Sequence, residues 1–272
     1  MSERPIGDVI ARMSPSRLDV AQKCLAQFRF RYVEPDDRNM PKAWRMMFGS
    51  AMDDAANGVY GVKLQTHETP SAKDAAERFA AAWDYNSTVV DDWEGSTKGD
   101  VLDIGTKGAA LWRDEIAQHV QPLKEPQLHV EREIVDPRTQ ERWTLHGFLD
   151  LYGEVGGQEQ TIDLKTSGKR YSASAFAGSS QPAAYTTLTG QQTFSYHVVT
   201  STKHPATQVL TAKVSESHQT AYLVRAGMLR RQIRNAYMTG DWLPNRQHMT
   251  CSKRYCDQWQ RCVAEYGGEV KA

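Results

Sequence analysis

The 272-residue sequence has little cysteine, no long apolar run and no excess charge of either sign. Four cysteines are too few for a disulfide scaffold, which excludes the small secreted disulfide-rich proteins. No apolar run approaches the roughly 20 residues that cross a bilayer, and the N-terminal segment lacks the apolar stretch of a signal peptide. With 40% hydrophobic residues and zero formal charge, the sequence predicts a soluble, cytoplasmic globular protein that does not associate with membranes.

Charge is nevertheless distributed unevenly along the chain. Between Tyr222 and Cys262, only Asp241 and Asp257 are acidic, whereas eight residues are basic. These are Arg225, Arg230, Arg231, Arg234, Arg246, Lys253, Arg254 and Arg261. A basic region of this kind can follow a phosphate backbone. An arginine-rich helix face exposed to solvent is the alternative interpretation.

The order of predicted elements indicates an α/β or α+β layered fold. A helix begins after the N-cap Ser14, and the Gly-, Ser- and Asp-rich segment 85–105 is predicted as a loop. Further helices are predicted at 73–84, 106–120, 180–188 and 217–238. Strands are predicted at 127–134, 143–155, 160–166, 193–199 and 208–214. Residues 244–272 form a compact tail in this interpretation.

Two carboxylates and a lysine lie in the second and third predicted strands. Asp163 and Lys165 are two positions apart, so they point to the same face of a strand, and Asp150 lies on the neighbouring apolar run. Carboxylates, water and phosphate oxygens are the ligands that Mg²⁺ prefers. A lysine beside such an ion can orient and deprotonate an attacking water. A plain ion pair at a strand end is the alternative.

The motifs Gly147-x-x-Asp150, Asp163-x-Lys165 and Gln181-x-x-x-Tyr185, in this order, resemble the RecB-like branch of the PD-(D/E)XK nuclease superfamily. The resemblance implies one nuclease domain over residues 1–272. It also implies a restriction-endonuclease-like α/β core, with a mixed central sheet flanked by helices. Asp150, Asp163, Lys165, Gln181 and Tyr185 are then catalytic, and the metal ligands include Asp150, Asp163 and the carbonyl of Leu164.

That family usually has a further ligand, a histidine four residues after a glycine on an upstream helix. Here Asp53 stands four residues after Gly49, and its oxygens can bind Mg²⁺ or Mn²⁺. Asp53 is therefore the expected third metal ligand, although Asp54 is an adjacent candidate. A solvent-facing acidic pair is the alternative interpretation of both residues.

The four cysteines have an uneven arrangement, with Cys24 far upstream and Cys251, Cys256 and Cys262 close together near the C-terminus. Single cysteines are most often buried thiols, and this spacing is poor for a zinc ribbon. Four thiolates gathered at one point suit a 4Fe–4S cluster. The layout is similar to that of the iron–sulfur RecB-like nucleases, which implies a cluster joining the chain ends through Cys24 and residues 244–272.

The resulting hypothesis is a metal-dependent DNA exonuclease of phage or bacterial recombination, repair or DNA processing, in a bacterial or phage-infected cell. DNA is the expected partner. Because the sequence has no G-x-x-x-x-G-K-[ST] motif, we expect no helicase motor in this chain. A recombination or helicase partner protein and an oligomer are both compatible with the sequence. The alternatives are an iron–sulfur DNA-binding or assembly module whose nuclease site has decayed, and a one-cluster electron carrier.

Overall fold

The structure, a computed structural model, describes residues 5–35, 42–253 and 255–267, so Arg254 of the basic region lies outside the described residues. Within these ranges no helix is long and apolar enough to cross a membrane. The described residues fall into two compact units. The first lies within Met1–Met40, Glu131–Gly147 and Glu216–Ala272, and the second lies within Pro41–Val130 and Phe148–Ser215. A single nuclease domain over residues 1–272 stays a prediction.

The second unit is built on a mixed five-stranded sheet of order β2-β5-β6-β7-β8. Its strands are β2 (Val120–Pro122), β5 (Leu151–Val155), β6 (Gln158–Ser167), β7 (Thr193–Thr200) and β8 (Thr207–Lys213). Strands β6 and β7 pair in parallel, and the other neighbours pair antiparallel. Two helices, α7 (Ala173–Ala177) and α8 (Gln181–Thr189), connect the parallel pair. A tight turn reverses the chain direction and so joins antiparallel strands. Parallel strands instead need a longer crossover, which α7 and α8 provide here.

Three long helices of this unit pack together beside the sheet. They are α4 (Trp44–Thr66), α5 (Ala72–Asn86) and α6 (Lys98–Glu115). Their apolar side chains form the main core with Leu151, Ile162 and Val199 of the sheet. A smaller cluster contains Phe176 of α7 and Phe194 of β7. The predicted mixed α/β fold, with a mixed sheet flanked by helices, is confirmed.

Helix α6 begins earlier than predicted, so the proposed loop over residues 85–105 is wrong in its second half. Thr97 caps the helix, accepting from the backbone of Asp100, while the Asp100 carboxylate accepts from the backbone N–H of Thr97. This capping box outweighs the low helix propensity of the following glycines. Gly105 is required by packing, because a Cβ there would lie 1.9 Å from the ring of Phe79.

The predicted strand 143–155 is interrupted by a bend at Asp150. Strand β4 (Arg142–Leu149) ends just before this residue, and β5 starts just after it. A second, three-stranded sheet has the order β1-β4-β3, with β1 (Arg12–Met13) and β3 (Leu128–Val135). The bend turns a single apolar run in the sequence into two strands with an aspartate between them.

Within its described residues, the first unit contains five α-helices and most of the three-stranded sheet. The helices are α1 (Ile6–Ala11), α2 (Pro15–Lys23), α3 (Leu25–Phe28), α9 (Glu216–Thr239) and α10 (Trp259–Tyr266). A π-helical turn, Arg29–Val33, follows α3. The predicted long helix 217–238 corresponds to α9 within one residue at each end.

Several arginines of the basic region hold this unit together. Arg230 is 2% exposed and donates to the carbonyl of Ile10 at 2.9 Å. Arg231 lies 2.7 Å from a carboxylate oxygen of the buried Asp136, and Arg234 pairs with Glu141. A buried, paired guanidinium cannot follow DNA, so for Arg230 the interpretation as a phosphate contact is wrong. The alternative, an arginine-rich helix face exposed to solvent, is also wrong for Arg230, because this side chain is buried.

Candidate active site

Asp150, at the bend between β4 and β5, is held by hydrogen bonds to both carboxylate oxygens. The backbone N–H of Leu164 donates to Oδ2 at 2.9 Å, and Nε2 of Gln127 donates to Oδ1 at 3.2 Å. The backbone N–H of Gln127 also donates to the carbonyl of Asp150 at 3.2 Å. Gln127 has a left-handed backbone, with φ of 57°, which is uncommon for a residue other than glycine. The sequence analysis did not identify Gln127, which orients the Asp150 carboxylate.

Asp163 and Lys165 lie on β6 and form an ion pair, with 2.5 Å between Nζ of Lys165 and Oδ2 of Asp163. Burial raises the pKa of Asp163, while the lysine opposes that rise. Although burial disfavours the ammonium, Asp163 raises the pKa of Lys165 above its ordinary value. Lys165 therefore keeps its proton and acts as a donor in this arrangement. The predicted role of Lys165 in orienting and deprotonating an attacking water stays a prediction.

Gln181 and Tyr185 lie on helix α8, near the Asp163–Lys165 ion pair. Oη of Tyr196 on β7 donates to Oε1 of Gln181 at 2.6 Å, and Nζ of Lys165 lies 5.3 Å from the centre of the Tyr196 ring. Burial raises the pKa of Tyr185, and the charges of Asp163 and Asp150 raise it further. Tyr196 thus links Gln181 to Lys165, a role that the sequence did not reveal because an aromatic residue in a strand is usually part of the core.

Asp53 and Asp54 face different surroundings on α4. Burial, together with the charges of Asp150 and Asp163, raises the pKa of Asp53 to about 7. Asp54 instead accepts a hydrogen bond from Nδ2 of Asn86 at 3.1 Å. The structure therefore places Asp53 in the electrostatic field of Asp150 and Asp163, while Asp54 contacts Asn86.

The donor set around these carboxylates fits a hard divalent cation. Oδ2 of Asp163 is buried and, apart from its ion pair with Lys165, has no hydrogen-bond donor among the described residues. In the same part of the chain, no three His, Cys, Asp or Glu side chains form a ready-made metal cage. Mg²⁺ does not require one, because it usually takes one or two carboxylates and completes its shell with waters and phosphate oxygens. The ligand roles of Asp53, Asp150, Asp163 and Leu164 stay predictions.

A pocket lined by Asp53 and Asp150 continues into the apolar core. Three buried polar atoms on its lining residues have no hydrogen-bond partner among the described residues. They are Oη of Tyr60, Nε1 of Trp112 and Nδ1 of His197. Burial lowers the pKa of His197 to about 4, so its ring is neutral at physiological pH. Buried polar groups of this kind commonly form hydrogen bonds with ordered water, and these three atoms could bind such a water in the pocket.

In the first unit, all four cysteines line one cavity. Sγ of Cys24 accepts from the backbone N–H groups of Gln27 at 3.5 Å and Asn245 at 3.4 Å. Burial, followed by the negative field of nearby Asp257 and two other cysteines, raises the pKa of Cys256 to about 11. Burial, and after it the nearby Cys24 and Cys251, likewise raise the pKa of Cys262. The four cysteines line this cavity, but among the described residues no three His, Cys, Asp or Glu side chains form a group that could hold a metal, so the 4Fe–4S cluster and its ligands stay predictions.

The tail that carries three of these cysteines also has polar contacts with the N-terminal helices. Asp257 accepts from Nε2 of Gln27 at 2.7 Å and pairs with Arg31 at 2.5 Å. Arg261 pairs with Glu34 at 2.8 Å. Cys262 packs against Phe30 in a small apolar cluster. Contacts other than the thiols therefore already join the two ends of the chain within this unit.

Comparison with known proteins identifies the family. The model of the PD-(D/E)XK nuclease superfamily matches residues 12–263, and the chain belongs to this superfamily. A crystal structure of a candidate exonuclease from Eubacterium rectale has a similar fold, with a TM-score of 0.54 at 16% identity, and the alignment covers 98% of this chain and 92% of that one. The crystal structure of SSO0001 gives a TM-score of only 0.32 at 12% identity, covering 82% of this chain and 91% of that one. No curated protein matches the chain.

Asp53 leads to a prediction about pH. Because its pKa is about 7, a cation that binds at lower pH has to displace a proton. The affinity for Mn²⁺ should therefore fall as the pH drops from 8 to 6, by up to about 10-fold per pH unit for each proton displaced. Asp53→Asn should weaken binding by roughly 10-fold at pH 8 and flatten this dependence. Calorimetric titration at three pH values, without DNA, measures both effects.

Asp54→Asn is the matched control for this experiment, since it removes the adjacent carboxylate on the same helix. Its affinity and pH dependence should equal those of the unmodified protein. If Asp54→Asn weakens Mn²⁺ binding and Asp53→Asn does not, the two residues have been assigned the wrong way round.

Proposed function

We propose that the protein is a Mg²⁺- or Mn²⁺-dependent DNA exonuclease of the RecB-like iron–sulfur branch of its superfamily. The observation that carries this proposal is the convergence of Asp150, Asp163 and Lys165, with Asp53 in the same electrostatic field. Burial raises the pKa of all three carboxyl groups, and the charges of Asp150 and Asp163 raise that of Asp53 further. Buried carboxylates gathered in this way are typical of a site that is completed by a cation.

In this proposal, Asp150, Asp163 and the Leu164 carbonyl hold the ion, with Asp53 as a further ligand. When bound, the ion lowers the pKa of the attacking water and neutralises charge on the phosphate. Lys165, which stays protonated, donates a hydrogen bond that positions the water or a phosphate oxygen. Gln181 and Tyr185 orient the lysine and contact the strand. Hydrolysis forms one P–O bond to the water oxygen and breaks one to a sugar oxygen, which leaves with a proton.

The four cysteines are proposed to bind a 4Fe–4S cluster. Two observations support this: one cavity that all four line, and backbone N–H groups that donate to the sulfur of Cys24. Hydrogen bonds to the sulfurs are common in iron–sulfur sites. Burial raises the pKa of both Cys256 and Cys262, so a bound positive charge would favour their thiolate forms. A cluster would add a covalent connection to the polar contacts between Cys24 and the tail.

The biological setting proposed is DNA recombination, repair or processing in a bacterial or phage-infected cell, alongside a helicase or recombination partner. Incubation with end-labelled linear DNA and with closed circular DNA tests the biochemical part. With Mg²⁺ or Mn²⁺, linear DNA should be degraded progressively from an end, while circular DNA persists. Chelation of the metal should stop the reaction. Cutting of circular DNA would contradict exonuclease action, and inactivity on every DNA with either metal would favour the decayed DNA-binding module.

A further inference from the structure

Two aromatic side chains lie in solvent next to the candidate metal site. Phe148 is 56% exposed on β4, where residues alternate between a buried and an exposed face. His129 on β3 is also exposed, and its ring centre lies 4.8 Å from that of Phe148 at an interplanar angle of 45°. A single exposed apolar residue needs no explanation, but a paired aromatic surface beside a catalytic carboxylate is a more specific arrangement.

The position of this ring pair is fixed relative to Asp150. Phe148 precedes Asp150 by two residues, and His129 follows Gln127 by two residues. Gln127 and Asp150 are joined by both a backbone and a side-chain hydrogen bond, each 3.2 Å long. At roughly 3.3 Å per residue, each ring is attached about 7 Å along its chain from this hydrogen-bonded pair. The rings therefore lie within one nucleotide's reach of the carboxylate.

We propose that His129 and Phe148 form a stacking platform for an unpaired nucleobase of the nucleotide next to the scissile phosphate. This inference rests on the proposed function and adds the substrate class, a single-stranded DNA end. A base is separated from its phosphate by one sugar, which is comparable to the separation between the rings and Asp150. Of the parts of a nucleotide, only the base has a flat aromatic face that gains from contact with Phe148.

The platform also discriminates between single and double strands. A base inside a duplex has both faces covered by its neighbours, so it must be unstacked before it can contact a protein ring. An unpaired end base has no such cost. The ring pair consequently favours single-stranded ends over blunt duplex ends, and it tolerates any base, because every base has a π-face.

A substitution cycle with modified DNA tests the platform. Phe148→Ala should lower kcat/KM on single-stranded DNA by about 5- to 150-fold, the range measured for loss of one base–aromatic stack. Replacing the base next to the cleaved bond by an abasic site should cost the unmodified protein a similar factor. The two changes together should cost little more than either alone, because both remove the same contact. Phe148→Trp should restore activity, whereas Phe148→Leu, which is apolar but not flat, should not.

Val209→Ala is the matched control, since Val209 is a 49%-exposed apolar residue on β8 of the same unit. It should leave kcat/KM unchanged. Independent losses from Phe148→Ala and from the abasic site, or full activity of Phe148→Leu, would overturn the platform. Thermal unfolding of each variant shows that the loss is not one of folding, because Phe148 contributes little buried surface.

A binding measurement separates failure of the platform from failure of the proposed function. In a Lys165→Ala background, which should block hydrolysis, a 2-aminopurine placed at the platform position should lose fluorescence on binding. Phe148→Ala should reverse that loss. If Lys165→Ala protein quenches the fluorescence but the unmodified protein never hydrolyses DNA, the platform is supported and the nuclease proposal is rejected. If the unmodified protein hydrolyses DNA but no quenching occurs, the nuclease proposal is supported and the platform is rejected.

Discussion

Asp163→Asn should lower the rate of metal-dependent DNA hydrolysis by at least about 10³-fold. The substitution removes one full charge from the candidate metal site and also the ion-pair partner of Lys165 at 2.5 Å. Groups that stabilise charge in a water-excluded site contribute about 10²–10³-fold each, and positioned proton donors or acceptors contribute about 10²–10⁴-fold. The measurement is a single-turnover time course with excess enzyme, which isolates hydrolysis from product release.

Thermal unfolding distinguishes this chemical loss from misfolding. Asp163→Asn leaves the largely buried ammonium of Lys165 without its carboxylate partner, so the metal-free melting temperature should fall, while the variant should still unfold in one cooperative transition above the assay temperature. Added Mn²⁺ should raise the melting temperature of the unmodified protein and of Asp54→Asn, but not that of Asp163→Asn. If Asp163→Asn digests DNA at the original rate, the site is assigned incorrectly.

Cys256→Ser should abolish the iron–sulfur cluster and destabilise the first unit strongly. Protein purified without oxygen should be brown and contain about four irons per chain, and the variant should be colourless. The cluster would close a loop of more than 200 residues between Cys24 and Cys251. A cross-link that closes a loop of this length contributes about 5 kcal/mol in the chain-entropy model. Elemental analysis, visible absorption and a denaturant titration followed by circular dichroism measure these effects.

Lys253→Ala is the control for Cys256→Ser, because Lys253 is an exposed residue between two of the cysteines. Its colour, iron content and stability should be unchanged. Loss of DNA hydrolysis in Cys256→Ser should accompany unfolding, so a folded but inactive variant would mean that the cluster acts on DNA directly. Zinc in place of iron would contradict the iron–sulfur assignment and leave the nuclease proposal unaffected.

Local patterns in the sequence predicted much of the candidate site. Asp163 and Lys165 were placed together because alternate residues of a strand share a face, and Gln181 and Tyr185 because residues four apart share a helix face. Both pairs depend on spacings of two to four residues, which a single sequence displays directly. The order of strand and helix patterns predicted an α/β or α+β layered fold, and the mixed sheet flanked by helices was implied by the resemblance to the nuclease superfamily.

Interactions between distant segments were not predictable in this way. Gln127 orients Asp150 only because of its left-handed backbone and the pairing of two segments that the sequence does not connect. The sequence alone shows Arg231 and Arg234 as part of a basic segment. It does not show that they pair with Asp136 and Glu141, because these partners lie more than 90 residues upstream. Helix α6 differs from these cases, because its capping box at Thr97 and Asp100 is a local pattern, while the glycines that follow it lower the helix propensity.

The crossover between the two parallel strands has a consequence for the order of assembly. Asp163, Lys165, Gln181, Tyr185 and Tyr196 all lie within β6, α8 and β7, a continuous stretch of about 40 residues. Short loops close faster and at lower entropic cost than long ones, so we expect this half of the site to form early during folding. Asp53 must reach it from more than 100 residues upstream. A nascent or partly folded chain would then carry the lysine without the full set of carboxylates, and would not cut DNA before its fold is complete.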